Sequence, residues 1–274
     1  MPLSRRDALK ALVVTTVGAT TGAGAYGAMY ERHRIGITNA TLEVSGLPPA
    51  FEGVRIAFLT DIHHSALVPA DDIRKAVTLA NEARPDMVVL GGDYVTFGDR
   101  RFVGPVAELL APLRAPRGVF AILGNHDDDR DMPAALQRQH ITVLKDARTA
   151  VTIGGDRLEI AGVRFWTRSA ESVARVLRRA KDPVLLLAHD PRRLAEAAAL
   201  GVPAVLSGHT HGGQVVLPGV GAIARRRFQV LEGLGRRDDT SIFVSRGIGT
   251  VYVPVRINCP PEVALVTLKR RSEI

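Results

Sequence analysis

The chain is predicted to be an α/β protein of two packed, mixed β-sheets flanked by helices, and three features of the sequence lead there. Five short runs are apolar from end to end and rich in Val, Ile and Leu, the texture of strands buried on both faces. Helical patterns alternate with those runs, which implies a largely parallel sheet core. Other segments alternate apolar and polar residues, as antiparallel strands with one wetter face do.

The buried runs are VRIAFL (Val54 to Leu59), MVVL (Met87 to Leu90), VFAIL (Val119 to Leu123), VLLLA (Val184 to Ala188) and AVL (Ala204 to Leu206). Between the first two, DDIRKAVTLANEA sets Ile73, Ala76, Val77 and Ala80 at three- and four-residue spacing behind Asp71 and Asp72, which suit a helix start. ESVARVLRRA and PRRLAEAAAL carry the same period. The alternating segments AVTIGGDRLEIAGVRFW, SIFVSRG and EVALVTLK are expected to pair antiparallel.

In open α/β sheets ligands gather beyond the carboxyl ends of the strands, so the residues that follow each run matter most. After the first come Asp61 and His63, after the second Asp93, and after the third Asn125, His126 and Asp127. His189 follows the fourth, and His209 and His211 of SGHTHGGQ follow the fifth. Five of the chain's eight histidines therefore fall at such ends. Carboxylate, imidazole and one amide without thiolate suit Mn, Fe or Zn. Asp61, His63, Asp93, Asn125, His189, His209 and His211 exceed what one tetrahedral ion uses, about three protein ligands. Two divalent ions roughly 3.5–4 Å apart, sharing a carboxylate, would use them all.

The ordered set DIH, GGD, GNHD, a lone His after a buried strand, and GHTH resembles the calcineurin-like metallophosphoesterases over about residues 50–270, and their exported bacterial, YkuE/YaeI-like branch most. The resemblance implies the four-layer fold of that superfamily, with residues 31–274 as a single catalytic domain. It assigns Asp61, His63 and His211 to one metal, Asn125, His189 and His209 to the other, and Asp93 as the bridge. It makes His126 the contact to phosphate and leaving group, with Asp127 holding its ring. The implied reaction is in-line attack of a metal-bound hydroxide on a phosphodiester or phosphomonoester. His64 and Arg246 are candidates to contact substrate; a solvent-exposed His64 and a salt-bridged Arg246 are the plainer alternatives.

Composition bounds the remaining questions. With 274 residues, 46% hydrophobic and 23% charged, the chain suits one large globular domain or two small ones. A single cysteine, Cys259, excludes an intrachain disulfide and a cysteine-based zinc cluster. The net charge of +8, of which residues 1–30 supply only +2, favours anionic partners. SRRDALK (Ser4 to Lys10) ahead of a mildly apolar run to Tyr30 resembles a twin-arginine export signal, or a membrane anchor if it is not cleaved. Ala8 departs from that pattern, and AGA at Ala23 to Ala25 is the candidate cleavage site. The expected location is the periplasm or the outer face of the bacterial cytoplasmic membrane. ARRRFQ (Ala224 to Gln229) reads as a solvated basic loop, with anionic lipid headgroups as the alternative partner.

Export and basic charge together suggest an envelope phospholipid or nucleotide–lipid as substrate and a membrane surface as partner. Nucleic acid is not expected, because with 5% aromatics no stacking platform is evident. The competing class is a metal-binding envelope protein without turnover, acting as a binding module. The sequence does not set the oligomeric state.

Overall fold

The computed structural model describes residues 21–222 and 227–272. The arginine pair of the export-like segment and Ala224 to Arg226 of the basic loop lie outside the described residues. Residues 21–29 are helical, and among the described residues no helix is long and apolar enough to cross a membrane.

One six-stranded sheet has the order β1-β14-β2-β3-β4-β5, from β1 (Gly36–Val44), β2 (Arg55–Leu59), β3 (Met87–Leu90), β4 (Val119–Ala121), β5 (Thr142–Val143) and β14 (Glu262–Arg270). The second has the order β12-β13-β9-β8-β7-β6, from β6 (Ala147–Ile153), β7 (Asp156–Val163), β8 (Val184–Ala188), β9 (Ala204–Ser207), β12 (Gly233–Arg237) and β13 (Thr240–Val244). A small hairpin, β10 (Val216–Leu217) with β11 (Gly221–Ala222), lies apart from both. Both sheets are mixed. β14 runs antiparallel to β2 but parallel to β1, and β13 runs antiparallel to β12 but parallel to β9. The purely antiparallel pairing expected for SIFVSRG and EVALVTLK is thus corrected on one side of each strand. Of the alternating segments, β6 and β7 do form an antiparallel pair.

Alternation along the strands builds four layers. On β2, Ile56 and Phe58 meet Leu158, Ile160, Leu185, Leu187 and Leu206 of the other sheet in one apolar layer. Their neighbours Ala57 and Leu59 face the opposite way, against Ile73, Ala76 and Val77 of α1 (Ala70–Glu82). Val106 and Leu110 of α2 (Val103–Leu110) and Leu136 of α3 (Asp131–Arg138) complete that outer layer. On the far face, Leu186, Val205 and Ile242 pack on Val173 of α4 (Ala170–Leu177) and on Leu194 and Ala197 of α5 (Leu194–Ala199). Each such fully buried aliphatic side chain contributes roughly 1.5–3 kcal/mol of transfer free energy. Strands apolar on both faces follow directly, because both faces of both sheets are covered. The carboxyl ends of β2, β3, β4, β8 and β9 all carry candidate site residues, which places the site across both sheets.

Candidate metal centre

The residues that follow these five strands converge. Ligand atoms of Asp61, His63 and His211 lie within 4.8 Å of one another, and so do those of Asp93, His189 and His209. Asp93 joins the two groups: its Oδ2 is 3.2 Å from His189 Nε2 and 3.4 Å from His63 Nε2. His211 Nε2 sits 3.2 Å from His63 Nε2 and 3.5 Å from Asp61 Oδ1. Two ring nitrogens at that distance, both buried, need a shared proton or a cation between them.

The backbone holds this cluster under strain. Asp61, His63, Asp93, His209 and His211 all have φ between 50° and 71°, the left-handed region that ordinary residues avoid. The conformation is held by crossing hydrogen bonds between neighbouring loops. Asp61 N–H donates to Gly92 O at 2.9 Å, His63 N–H to Asp93 O at 2.9 Å, and His209 N–H to both Asp61 oxygens at 3.0 Å. Close packing leaves no room beside two glycines: a Cβ on Gly208 would fall 2.3 Å from Asp61 Oδ2, and one on Gly124 2.0 Å from Asp93 Oδ1.

Unpartnered polar atoms test whether cations fit. Asn125 Oδ1 and His189 Nε2 are buried and make no hydrogen bond, an arrangement that costs about 1–3 kcal/mol per atom unless something else pairs with them. His189 Nε2 lies close to the carboxylates of Asp93 and Asp61 but without hydrogen-bond geometry. Its Nδ1 is 2.7 Å from Gly91 O, so Nδ1–H donates there and Nε2 is the atom turned inward. Two carboxylates, four imidazoles and an amide oxygen without sulfur match borderline divalent ions. The residues fit a pair of cations.

Electrostatics point the same way. Burial lowers His189, but Asp93 and Asp61 outweigh it and raise the group to about 10. Burial likewise works against Asp93, yet His189, His63 and His126 hold its carboxyl well below the usual range. Asp61 is pushed up to about 6 by burial, with His189 opposing and Asp93 adding to the rise. Burial takes His63 down to about 3, His209 to about 4, and His211 well below its usual value, so these rings are neutral and free to donate lone pairs.

One expected role changes and two open alternatives narrow. Asp127 does not hold the ring of His126: its carboxylate accepts from the backbone N–H groups of Asp93, Tyr94 and Gly124 at 2.7–2.8 Å, so it shapes the bridging loop. The ring of His126 is held instead by the N–H of Phe97, which donates to Nδ1 at 3.0 Å. His64 is buried with Nδ1 3.0 Å from Val68 O and its ring edge-on to Phe102, and is occupied by those contacts. Arg246 is salt-bridged rather than free for substrate, to Glu262 at 2.5 Å with a second contact to Thr38 at 3.0 Å.

Two features escaped sequence reasoning. Arg256 is fully buried, and its guanidinium donates to the carbonyls of Arg246, Gly247, Gly249 and Cys259. That loop in turn supports Asp61, because Gly249 N–H donates to Asp61 O at 2.7 Å and Ile248 N–H to Thr60 O at 3.1 Å. An aromatic rim also surrounds the centre. Phe97 and Tyr252 stand beside His126, and Phe165 and Phe228 beside His209, with Trp166 edge-on to Phe165 and the Arg168 guanidinium 4.9 Å over the Phe165 ring. Composition gave no sign of this rim, because it counts rings without showing where the fold gathers them.

The sequence profile of the family described as Calcineurin-like phosphoesterase matches residues 54–213. The chain is 32% identical over 280 residues to the uncharacterized metallophosphoesterase YkuE of Bacillus subtilis, spanning 97% of this chain and 98% of that protein. It is 32% identical over 229 residues to the phosphodiesterase YaeI of Escherichia coli, spanning 78% of this chain and 82% of that one. An uncharacterized metallophosphoesterase of Aquifex aeolicus is 32% identical over 260 residues, spanning 91% and 97%. With its two ligand clusters meeting at Asp93, the chain belongs to the calcineurin-like phosphoesterase family and is a metal-dependent phosphoester hydrolase.

Proposed function

We propose that the chain hydrolyses an envelope phosphodiester at a dinuclear centre. Asp61, His63 and His211 would hold one cation and Asn125, His189 and His209 the other, with Asp93 able to serve both. The observation that carries this reading is the position of Asp93 Oδ2 between His63 and His189. Divalent ions bound there supply Lewis acidity, drawing charge from phosphoryl oxygens and making bound water acidic. The protein's own residues do the rest. His63, His209 and His211 present neutral rings, and Asp61 is fixed by Thr60 Oγ1–H at 3.0 Å and by His209 N–H. His126 accepts at Nδ1 from Phe97, so its ring proton sits on Nε2. That proton is placed to donate to a phosphoryl oxygen and then to the departing alkoxide.

Diester preference draws support from the YaeI relative, which is a phosphodiesterase. A membrane surface as partner draws support from the helical segment 21–29 and the residue after it, where Tyr26, Met29 and Tyr30 are exposed; the segment is tied to the Arg256 loop by Arg256 N–H donating to Gly27 O at 3.2 Å. Exposed aromatic and apolar side chains beside exposed Arg34, whose guanidinium lies 5.8 Å from the Tyr30 ring, suit a headgroup layer. Export rests on Arg5 and Arg6 ahead of the apolar run. A fusion of residues 1–30 to a reporter that needs folded export, with Arg5→Lys and Arg6→Lys as controls, tests it.

The catalytic reading is tested on purified protein with bis(4-nitrophenyl) phosphate and 4-nitrophenyl phosphate. Hydrolysis that needs added divalent metal, is abolished by Asp93→Asn, and falls in His126→Ala with both metals retained is the expected result. Two bound metals with no hydrolysis of either compound would instead favour a binding protein without turnover.

A further inference from the structure

Phe97 and Tyr252 are exposed by 67% and 74%, although both are large apolar rings. Both also have left-handed backbone, with φ of 51° and 63°. Phe97 is the first central residue of a turn closed by Asp99 N–H to Thr96 O at 3.1 Å, followed by Gly98 at φ 66°. Gly, Asn and Asp ordinarily fill such positions. Tyr252 sits at the apex of a three-residue turn closed by Val253 N–H to Val251 O at 2.7 Å. A bulky residue in this region costs about 1–2 kcal/mol, and neither ring is buried in a core that would offset it.

The two turns are nevertheless tied to the centre. Phe97 N–H donates to His126 Nδ1 and Gly98 N–H to His126 O at 2.8 Å. The Tyr252 turn is clasped by Gln214, the last residue of SGHTHGGQ. Its Nε2 donates to Val253 O at 2.8 Å, and its Oε1 accepts from Val251 N–H at 3.0 Å. The rings meet at 5.7 Å between centroids, with Phe97 5.0 Å and Tyr252 6.4 Å from the His126 ring. A strained, solvent-facing aromatic pair is therefore held against the one residue that would protonate the leaving group.

We infer that Phe97 and Tyr252 form a leaving-group subsite that stacks a flat aromatic ring, which makes them specificity-determining residues for phosphoesters carrying such a ring on the departing alcohol. The inference rests on the two-metal reading and narrows its substrate class. The chemical step is unchanged: water adds to phosphorus, the P–O bond to the ring-bearing alcohol breaks, and that alcohol leaves with a proton.

The test uses methyl benzyl phosphate against methyl cyclohexylmethyl phosphate, whose leaving groups are primary alcohols of similar size and basicity that differ in flatness. A nucleoside 5′-methyl phosphate distinguishes a base from a simple aryl ring. Wild-type protein should favour benzyl in kcat/KM, and Phe97→Ala or Tyr252→Ala should lower the benzyl-to-cyclohexylmethyl ratio roughly 5- to 150-fold, the span of aromatic stacking on a base. Tyr252→Gly should lose the same preference without lowering Tm, because glycine relieves the left-handed strain. A wild-type enzyme without preference, equal loss on both substrates, or a Tm that drops in Tyr252→Gly would overturn the inference. A wild-type protein that binds no metal and cleaves none of the compounds would instead overturn the two-metal reading itself.

Discussion

Gly124→Ala adds one methyl group and should disable both metal sites at once. Gly124 lies outside the left-handed region, so alanine introduces no strain of its own there. The added Cβ would stand 2.0 Å from Asp93 Oδ1 and 2.6 Å from Asp93 Cγ. A normal non-bonded contact is about 3.5 Å, so the carboxylate must retreat by roughly 1.5 Å. In retreating, Oδ1 gives up the His126 N–H at 2.8 Å, and Oδ2 leaves its place between His63 and His189. Losing a supporting contact to a metal ligand typically costs 10–100-fold in affinity, and moving the shared ligand itself should cost at least about that at each ion. A displacement of about 1 Å in a reacting geometry costs on the order of 100-fold in turnover. Metal content after dialysis, by inductively coupled plasma mass spectrometry, and initial rates on bis(4-nitrophenyl) phosphate read both effects, with circular dichroism to confirm the fold. Gly104→Ala in α2, whose Cβ would meet nothing within 4 Å, is the control and should keep wild-type metal content. A Gly124→Ala protein with two tightly held ions and near wild-type turnover would refute the packing argument.

His209→Ala and His211→Ala should each weaken a different ion, because the two rings belong to different clusters; metal titration should show one retained and one weakened site in each variant, at different positions. Loading metal at pH 7 should release at least one proton per chain. His189, held at about 10 by its carboxylate neighbours, is protonated at that pH and must lose its proton to ligate, which calorimetry in buffers of different ionisation enthalpy measures. In metal-free protein the same raised group stabilises the fold fully below its ordinary value of 6.5, and that contribution fades as pH rises through about 10, a trend thermal melts against pH would show. Arg256→Met should strand several buried carbonyls at about 1–3 kcal/mol each, lowering Tm by many degrees and metal affinity with it. Gln214→Ala should leave the fold intact while loosening the turn of Tyr252, seen as a reduced preference for ring-bearing substrates.

The central strands and the residues at their ends were legible because they obey simple rules: apolar on both faces, then a turn carrying Asp, Asn or His. β1 was not, since GITNATLEV mixes Asn, Thr and Glu into a strand whose exposure alternates over most of its length. α2 was hidden by Gly104 and Pro105 inside VGPVAELL. The roles of Asp127 and His64 depend on which neighbour a short side chain reaches, and adjacency in sequence gave no hint that Asp127 would turn to backbone N–H groups instead of the His126 ring. The left-handed backbone of five candidate ligands is set by bonds between distant loops and leaves no mark in composition. Nothing in the sequence sets Arg256 apart from the other arginines, and only the folded loop shows why a guanidinium is buried there.

The claim on which everything else depends is that one carboxylate, Asp93, joins two cations into a single centre. Electron paramagnetic resonance of protein titrated with Mn(II) tests it most directly. The structure predicts an exchange-coupled pair that develops as two equivalents bind and is absent in Asp93→Asn. Saturation at one equivalent, or two ions that remain magnetically independent, would contradict it.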